Sequence, residues 1–77
     1  MEAEVRQVMA TVLRLDATQV TDDFSHAGMA WDSLKHVNLV IALERKFGIV
    51  FTPDEITRMF SFRAIRDLVR DKVARRG

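Results

Sequence analysis

The residues with the clearest chemical potential lie in the stretch Trp31–Val40. Within it, Ser33 stands where a long irregular loop meets an amphipathic helix, and His36 follows three residues later. Serine catalysis would also need an acid that orients the imidazole, an oxyanion hole and a pocket. No such partners are evident in so short a chain. We therefore predict that Ser33 is placed to be modified rather than to catalyse, and that the chain is not an enzyme.

A purely structural interpretation of the same residues stays open. Asp32 or Ser33 could cap the second helix by accepting a hydrogen bond from a free backbone N–H. The position of Asp-Ser before a helix, taken alone, favours such a cap. The long loop before the second helix and the short helix after it favour modification. A phosphate on Ser33 would suit this position, because the first N–H groups of a helix and its dipole attract anions.

Length and composition narrow the possible number of domains and the possible cellular compartment. The chain has 77 residues, of which 48% are hydrophobic and none is cysteine. We expect one domain over residues 1–77, with a core near the lower limit for independent folding. The lack of cysteine suits a reducing compartment and excludes thiolate zinc sites, so we expect a cytoplasmic protein without a metal site. The longest apolar run, Leu39–Leu43, is far shorter than the ~20 residues that cross a membrane.

Apolar spacing predicts an all-α, four-helix bundle with a short third helix and a long loop between the first and second helices. The first helix is predicted from Glu2 to Arg14, with a buried face of Val5, Val8, Met9 and Val12. The segment from Asp16 to Trp31 has no sustained period, and connections of this length are usually functional. We expect Phe24 to pin this loop to the core.

The second helix is predicted to begin at Asp32 or Ser33 and to end before Gly48, where a left-handed cap would fall. On this helix, Leu34, Val37 and Ile41, with Val40 as a further candidate, are predicted to face the core.

Capping signals mark the last two helices. Thr52 and Glu55 have capping-box spacing around Pro53, which suits a first helical position. Ser61 is expected to cap the fourth helix, and the buried residues there are predicted to be Phe62, Ile65, Leu68, Val69 and Val73.

The end of the chain is basic, although the net charge is only +1. From Arg63 to Gly77 there are six Lys or Arg against two Asp. Such a segment could bind phosphates or place a basic helix in the major groove of DNA. However, Asp67 and Asp71 interrupt its basic residues. Cations are also favoured near a helix C-terminus by its dipole. We therefore interpret the segment as a solvated helix face and expect no nucleic-acid partner.

The tripeptide Asp32-Ser33-Leu34 and the helix after it resemble the attachment site of acyl carrier proteins. The similarity extends from about Val5 to Val73 and includes Val37, Leu39, Val40, Ala42-Leu43-Glu44, Phe47 and Pro53-Asp54. It implies that Ser33 carries a covalent 4′-phosphopantetheine arm, derived from coenzyme A, whose thiol carries the cargo. It further implies that a phosphopantetheinyl transferase reads Asp32 with its metal, and that Leu34 belongs to the docking surface.

The same resemblance implies a discrete carrier of acyl, hydroxyacyl, polyketide or aminoacyl thioesters. No feature of the sequence argues for a stable oligomer, so we expect a monomer. Its partners would be the transferase and the enzymes that load, condense or modify the cargo. The Trp-Asp-Ser-Leu-x-His form of residues 31–36 is similar to stand-alone carriers of specialised pathways. An unmodified helical interaction module or a nucleic-acid-binding module is the alternative.

The second helix departs from the family in its charge. Many acyl carrier proteins have an acidic second helix that meets basic patches on partner enzymes. Here Glu44 is the only acid among the polar residues predicted to be exposed, which include Lys46. We therefore predict a different docking surface, formed by Trp31, Lys35, His36, Asn38 and Arg45.

Overall fold

The computed structural model describes residues 1–25 and 32–75. This part of the chain contains four helices, namely α1 (Glu2–Leu13), α2 (Ser33–Phe47), α3 (Pro53–Ile56) and α4 (Phe62–Arg75), with a 3-10 turn at Ala17–Gln19. The prediction of an all-α bundle with a short third helix is confirmed. None of the helices described is both long and apolar enough to cross a membrane.

Helix α1 ends one residue before the predicted boundary. Arg14 adopts a left-handed conformation, with φ 60° and ψ 49°, and its N–H donates to the carbonyl of Ala10. This type of cap usually falls on glycine, because a Cβ atom is crowded in that conformation. Nothing in the sequence therefore marked Arg14 as the end of the helix. The buried face of α1 is also shifted from the one predicted. Val5 and Met9 are buried as predicted and Ala10 and Leu13 are buried beside them, whereas Val8 and Val12 are only partly buried.

The first loop is fixed to the start of α4. Phe24 is buried, as predicted, and its carbonyl accepts a hydrogen bond of 2.9 Å from the N–H of Phe62. The next residue, Ser25, forms an isolated antiparallel bridge with Ser61. The loop thus becomes part of the packed structure before the chain reaches α2.

Helix α2 packs with the opposite side from the one predicted. Leu34, Val37 and Ile41 are 69%, 52% and 42% exposed, so their assignment to the core is wrong, whereas Val40 is buried as suggested. The buried side consists of His36, Leu39, Val40, Leu43 and Phe47. This side repeats large apolar residues at every helical turn and removes more apolar surface from water. Gly48, with φ 64°, ends the helix as predicted.

The short helix α3 is held at its start and from a neighbouring helix. Thr52 and Glu55 form the predicted capping box around Pro53 at the first helical position. Glu55 also pairs with Lys72 of α4 at 2.8 Å, and this hydrogen bond from Lys72 holds the pKa of Glu55 below its ordinary value. Four residues alone would not form a stable helix in water, so these contacts define α3.

Helix α4 begins at the predicted cap, and most of the residues predicted to be buried on it are fully buried. The Oγ atom of Ser61 accepts a hydrogen bond from the N–H of Ala64 at 3.2 Å. Phe62, Ile65 and Val69 are buried, while Leu68 and Val73 are only partly buried against the core.

Candidate functional site at the start of the second helix

Ser33 is the first residue of α2 and its side chain is exposed. The cap is supplied by the preceding residue, because Asp32 Oδ1 accepts a hydrogen bond of 2.9 Å from the N–H of Lys35. The first backbone bond of the helix runs from the N–H of His36 to the carbonyl of Asp32, at 3.0 Å. The Ser33 hydroxyl is therefore not needed to cap the helix and is open to another enzyme.

The position also fits a covalently attached phosphate. The N–H groups of Ser33 and Leu34 precede the first intrahelical bond, so they lie at the positive end of the α2 dipole. A phosphodiester on the Ser33 oxygen would lie beside them. Asp32 and Leu34 are exposed on either side of Ser33, where a modifying enzyme could contact both.

The other two serines of the sequence, Ser25 and Ser61, are in different surroundings. Both are half-buried and they face each other in the bridge between the loop and α4. Ser61 also begins a helix, but its hydroxyl acts as the cap. Of the three serines, Ser33 alone combines an exposed hydroxyl with a helix start that another residue caps.

His36 is not a surface residue, so its predicted docking role is wrong. Its side chain is 7% exposed and stacks on Phe60, with ring centroids 4.1 Å apart and planes 5° from parallel. Nε2 lies 2.7 Å from the carbonyl oxygen of Ile56. Because a carbonyl oxygen only accepts, Nε2 carries the hydrogen. His36 thus joins α2, one turn after Ser33, to the end of α3.

This contact could not be predicted from the sequence. Ile56 lies 20 residues beyond His36, and a lone histidine on a helix is usually solvated. Burial becomes favourable because Ile56 supplies a hydrogen-bond acceptor and Phe60 a flat apolar surface. Neither is recognisable without the path of the chain between α2 and α4.

We expect His36→Ala to lower the free energy of unfolding by about 1–3 kcal/mol, since it removes a buried hydrogen bond and an aromatic stack. The loss stays moderate because the Ile56 carbonyl also accepts from the N–H of Met59, at 3.3 Å. Urea unfolding followed by circular dichroism measures the effect. Asn38→Ala, an exposed change on the same helix, is the control and should leave the midpoint nearly unchanged. Equal midpoints for both variants would contradict the tethering role of His36.

The remaining docking candidates are distributed around the outer half of α2. Asn38 and Arg45 are exposed, whereas Lys35 is half-buried. Trp31, the fourth candidate, lies outside the described residues. Of the docking candidates that the structure describes, Lys35, Asn38 and Arg45 lie on one helix with Ser33 outside the core, and His36 is buried.

The basic segment of α4 is occupied by ion pairs. Arg63 pairs with Asp23, Arg66 and Arg70 with Glu2, Lys72 with Glu55, and Arg75 with Asp71. Five cations that would form a nucleic-acid-binding face are thus matched by carboxylates of the same chain. This arrangement supports the interpretation of the segment as a solvated helix face.

Comparison with known proteins agrees with this geometry. A family model described as "Phosphopantetheine attachment site" matches residues 3–71. The acyl carrier protein of Thermosynechococcus vestitus (strain NIES-2133 / IAM M-273 / BP-1) is 31% identical over 72 residues, which cover 92% of this chain and 89% of that protein. Polyketide-8 synthase acyl carrier protein 2 of Streptomyces avermitilis is 30% identical over 71 residues, with coverage of 91% and 82%.

A solved structure shows the same fold. The solution NMR structure of holo acyl carrier protein from Geobacter metallireducens superposes with a TM-score of 0.83 at 29% identity, covering 96% of this chain and 86% of that one. The chain belongs to the acyl carrier protein family, whose members are non-catalytic carriers with covalently bound 4′-phosphopantetheine. Members of this family interact with biosynthetic enzymes.

Proposed function

We propose that the protein is a discrete carrier, with residues 1–77 as a single domain, that bears 4′-phosphopantetheine on Ser33. The observation that carries this proposal is the exposed Ser33 hydroxyl at the start of α2, in a helix that Asp32 already caps. When bound, the arm supplies a thiol that holds cargo as a thioester. The cargo is an acyl, hydroxyacyl, polyketide or aminoacyl unit that passes between biosynthetic enzymes.

A phosphopantetheinyl transferase installs the arm in this proposal. Asp32 and Leu34 flank Ser33 at the surface and are the residues that the transferase contacts. One relative is named as an acyl carrier protein and another as a carrier protein of a polyketide synthase, which fits a role in a fatty-acid or a polyketide pathway. The cysteine-free sequence suits a carrier that works as a monomer in the reducing cytoplasm.

The absence of cysteine provides a direct test of thioester carriage. The unmodified chain has no thiol, so any thiol that appears after incubation with coenzyme A, magnesium and a broad-specificity transferase belongs to the arm. After removal of free coenzyme A, we expect a colorimetric thiol reagent to detect one thiol per chain. Loading from acetyl-coenzyme A instead should give a blocked thiol that hydroxylamine releases.

The control is a known acyl carrier protein treated in parallel with the same transferase. A folded parent chain that gains no thiol while the control gains one would contradict the proposal. A thiol that appears but is not blocked by loading from acetyl-coenzyme A, when the control is blocked, would contradict thioester carriage.

A further inference from the structure

Lys35 is the lysine nearest in the chain to the proposed attachment residue. The sequence has three lysines, Lys35, Lys46 and Lys72. Lys35 lies in the first turn of α2, two residues after Ser33, which is a rise of about 3 Å along the helix axis. It is half-buried, and the hydrogen bond from its N–H to Asp32 Oδ1 fixes the backbone from which its side chain extends. A primary amine therefore belongs to the helical turn on which the arm is proposed to be attached.

Both of the other lysines are held in ion pairs away from that turn. Lys46 lies thirteen residues after Ser33, about 20 Å along the helix axis, and its Nζ pairs with Glu4 of α1 at 3.6 Å. Lys72 lies on α4, and its Nζ pairs with Glu55 of α3 at 2.8 Å. An ammonium group in such a pair only donates hydrogen bonds, so it must leave its carboxylate and lose a proton before it can act as a nucleophile.

Helix α2 tolerates the loss of charge on Lys35 better than the loss of charge on Lys46. Positive charge is stabilising near the C-terminus of a helix, where α2 has Arg45 and Lys46, and is disfavoured near the N-terminus. The exposed Asp32 carboxylate at the cap offsets part of this effect for Lys35. Neutralising Lys46 would also break its pair with Glu4. An uncharged amide is therefore more compatible with position 35 than with position 46.

We propose that Lys35 accepts acyl cargo from the arm by intramolecular transfer. This inference rests on the proposed carrier function. The neutral Nζ atom attacks the thioester carbonyl, a C–N bond forms as the C–S bond breaks, and the proton released from nitrogen goes to the departing sulfur. The products are an amide on Lys35 and a free thiol on the arm, so no further reactant is needed.

The flexible arm makes this transfer faster than reaction with an acyl donor in solution. The side chains of Ser33 and Lys35 leave the helix on different sides, so the thioester reaches the amine through the arm and not through contact of the two residues. A short flexible tether gives the group that it carries an effective concentration of the order of millimolar. Transfer to Lys35 should therefore exceed acylation by a donor at ten micromolar by about a hundredfold. It removes the cargo from the arm and one positive charge from α2.

The test follows the acetyl-loaded chain at mildly alkaline pH by intact mass and by titration of free thiol. Because the chain has no cysteine, a thiol that reappears belongs to the arm. Hydrolysis returns the thiol and loses the acetyl mass, whereas transfer returns the thiol and keeps the acetyl mass. We expect the retained acetyl group to resist hydroxylamine and to be located on Lys35 by proteolysis and tandem mass spectrometry. Its rate of formation should not depend on protein concentration.

Lys35→Arg is the matched variant, because it keeps the positive charge and removes the primary amine. Its loaded fraction should regain the thiol only with loss of the acetyl mass. Ser33→Ala mixed with acetyl-coenzyme A at ten micromolar lacks the tether, and its Lys35 should be acetylated about a hundredfold more slowly. Lys46 and Lys72 are internal references in the loaded parent and should gain acetyl groups at least about tenfold more slowly than Lys35.

The results separate this inference from the proposed function. A parent chain that gains no thioester while a known carrier is loaded overturns both. When the thioester does form, three results overturn the acyl transfer alone. These are recovery of the thiol only with loss of the acetyl mass, equal acetylation of the three lysines, and equal rates at Lys35 in the loaded parent and in the Ser33→Ala mixture.

Discussion

Ser33→Ala is expected to abolish loading by the transferase and to leave the fold intact. The substitution removes the oxygen to which the arm would be attached. It should not weaken α2, because Asp32 supplies the side-chain cap and alanine is the best helix former. Intact-protein mass spectrometry after incubation with coenzyme A and magnesium measures the loading, and circular dichroism confirms the fold.

Ser61→Ala is the matched control for this prediction. Ser61 also precedes a helix, but its hydroxyl accepts the capping hydrogen bond from Ala64. Its removal should cost about 0.5–2 kcal/mol of stability and leave loading complete in the folded fraction. The two variants should therefore show opposite results. Ser33→Ala should lose loading and keep its stability, whereas Ser61→Ala should keep loading and lose stability. Ser33→Ala that is still loaded would show that the attachment site is elsewhere.

Phe62→Ala is expected to have the largest effect on stability. The Phe62 ring is completely buried at the start of α4, and the guanidinium of Arg6 lies 4.3 Å from its centroid. Truncation of a buried phenylalanine costs about 3–5 kcal/mol, which is comparable to the whole stability that a core of this size supplies, about 3–5 kcal/mol. The variant should be largely unfolded at room temperature.

Urea unfolding compares this variant with the parent and with Val50→Ala. Val50 is 77% exposed, so its truncation should change the free energy of unfolding by less than about 0.5 kcal/mol. Phe62→Ala should show no folded baseline, or a midpoint near zero denaturant. A cooperative transition within about 1 kcal/mol of the parent would contradict the burial of Phe62 in the core.

Local signals in the sequence were enough to predict the all-α, four-helix architecture. Capping boxes and glycine caps depend on a few neighbouring residues, so Thr52, Ser61 and Gly48 marked their helix ends correctly. The apolar residues of α4 repeat on one side of the helix, so the burial of Phe62, Ile65 and Val69 could be predicted. Arg14 is the exception among the ends, because its left-handed cap uses a residue that does not favour this conformation.

The orientation of α2 could not be predicted in the same way. Its sequence has apolar residues on two sides, so periodicity alone does not decide which of them faces inward. The burial of His36 depends on Ile56 and Phe60, which only the tertiary structure brings near. The same ambiguity concealed the exposure of Leu34, Val37 and Ile41, which lie on the surface because the opposite side of the helix packs better.

The central claim, attachment of the arm to Ser33, is tested most directly by locating the modification on the loaded parent chain. Proteolysis followed by tandem mass spectrometry assigns the added 4′-phosphopantetheine to one of the three serines, Ser25, Ser33 and Ser61. We predict that it lies on Ser33 alone, where the hydroxyl is exposed and the helix is capped by Asp32. An arm located on Ser25 or Ser61, or a folded chain that acquires none while a known carrier is loaded, would contradict the account.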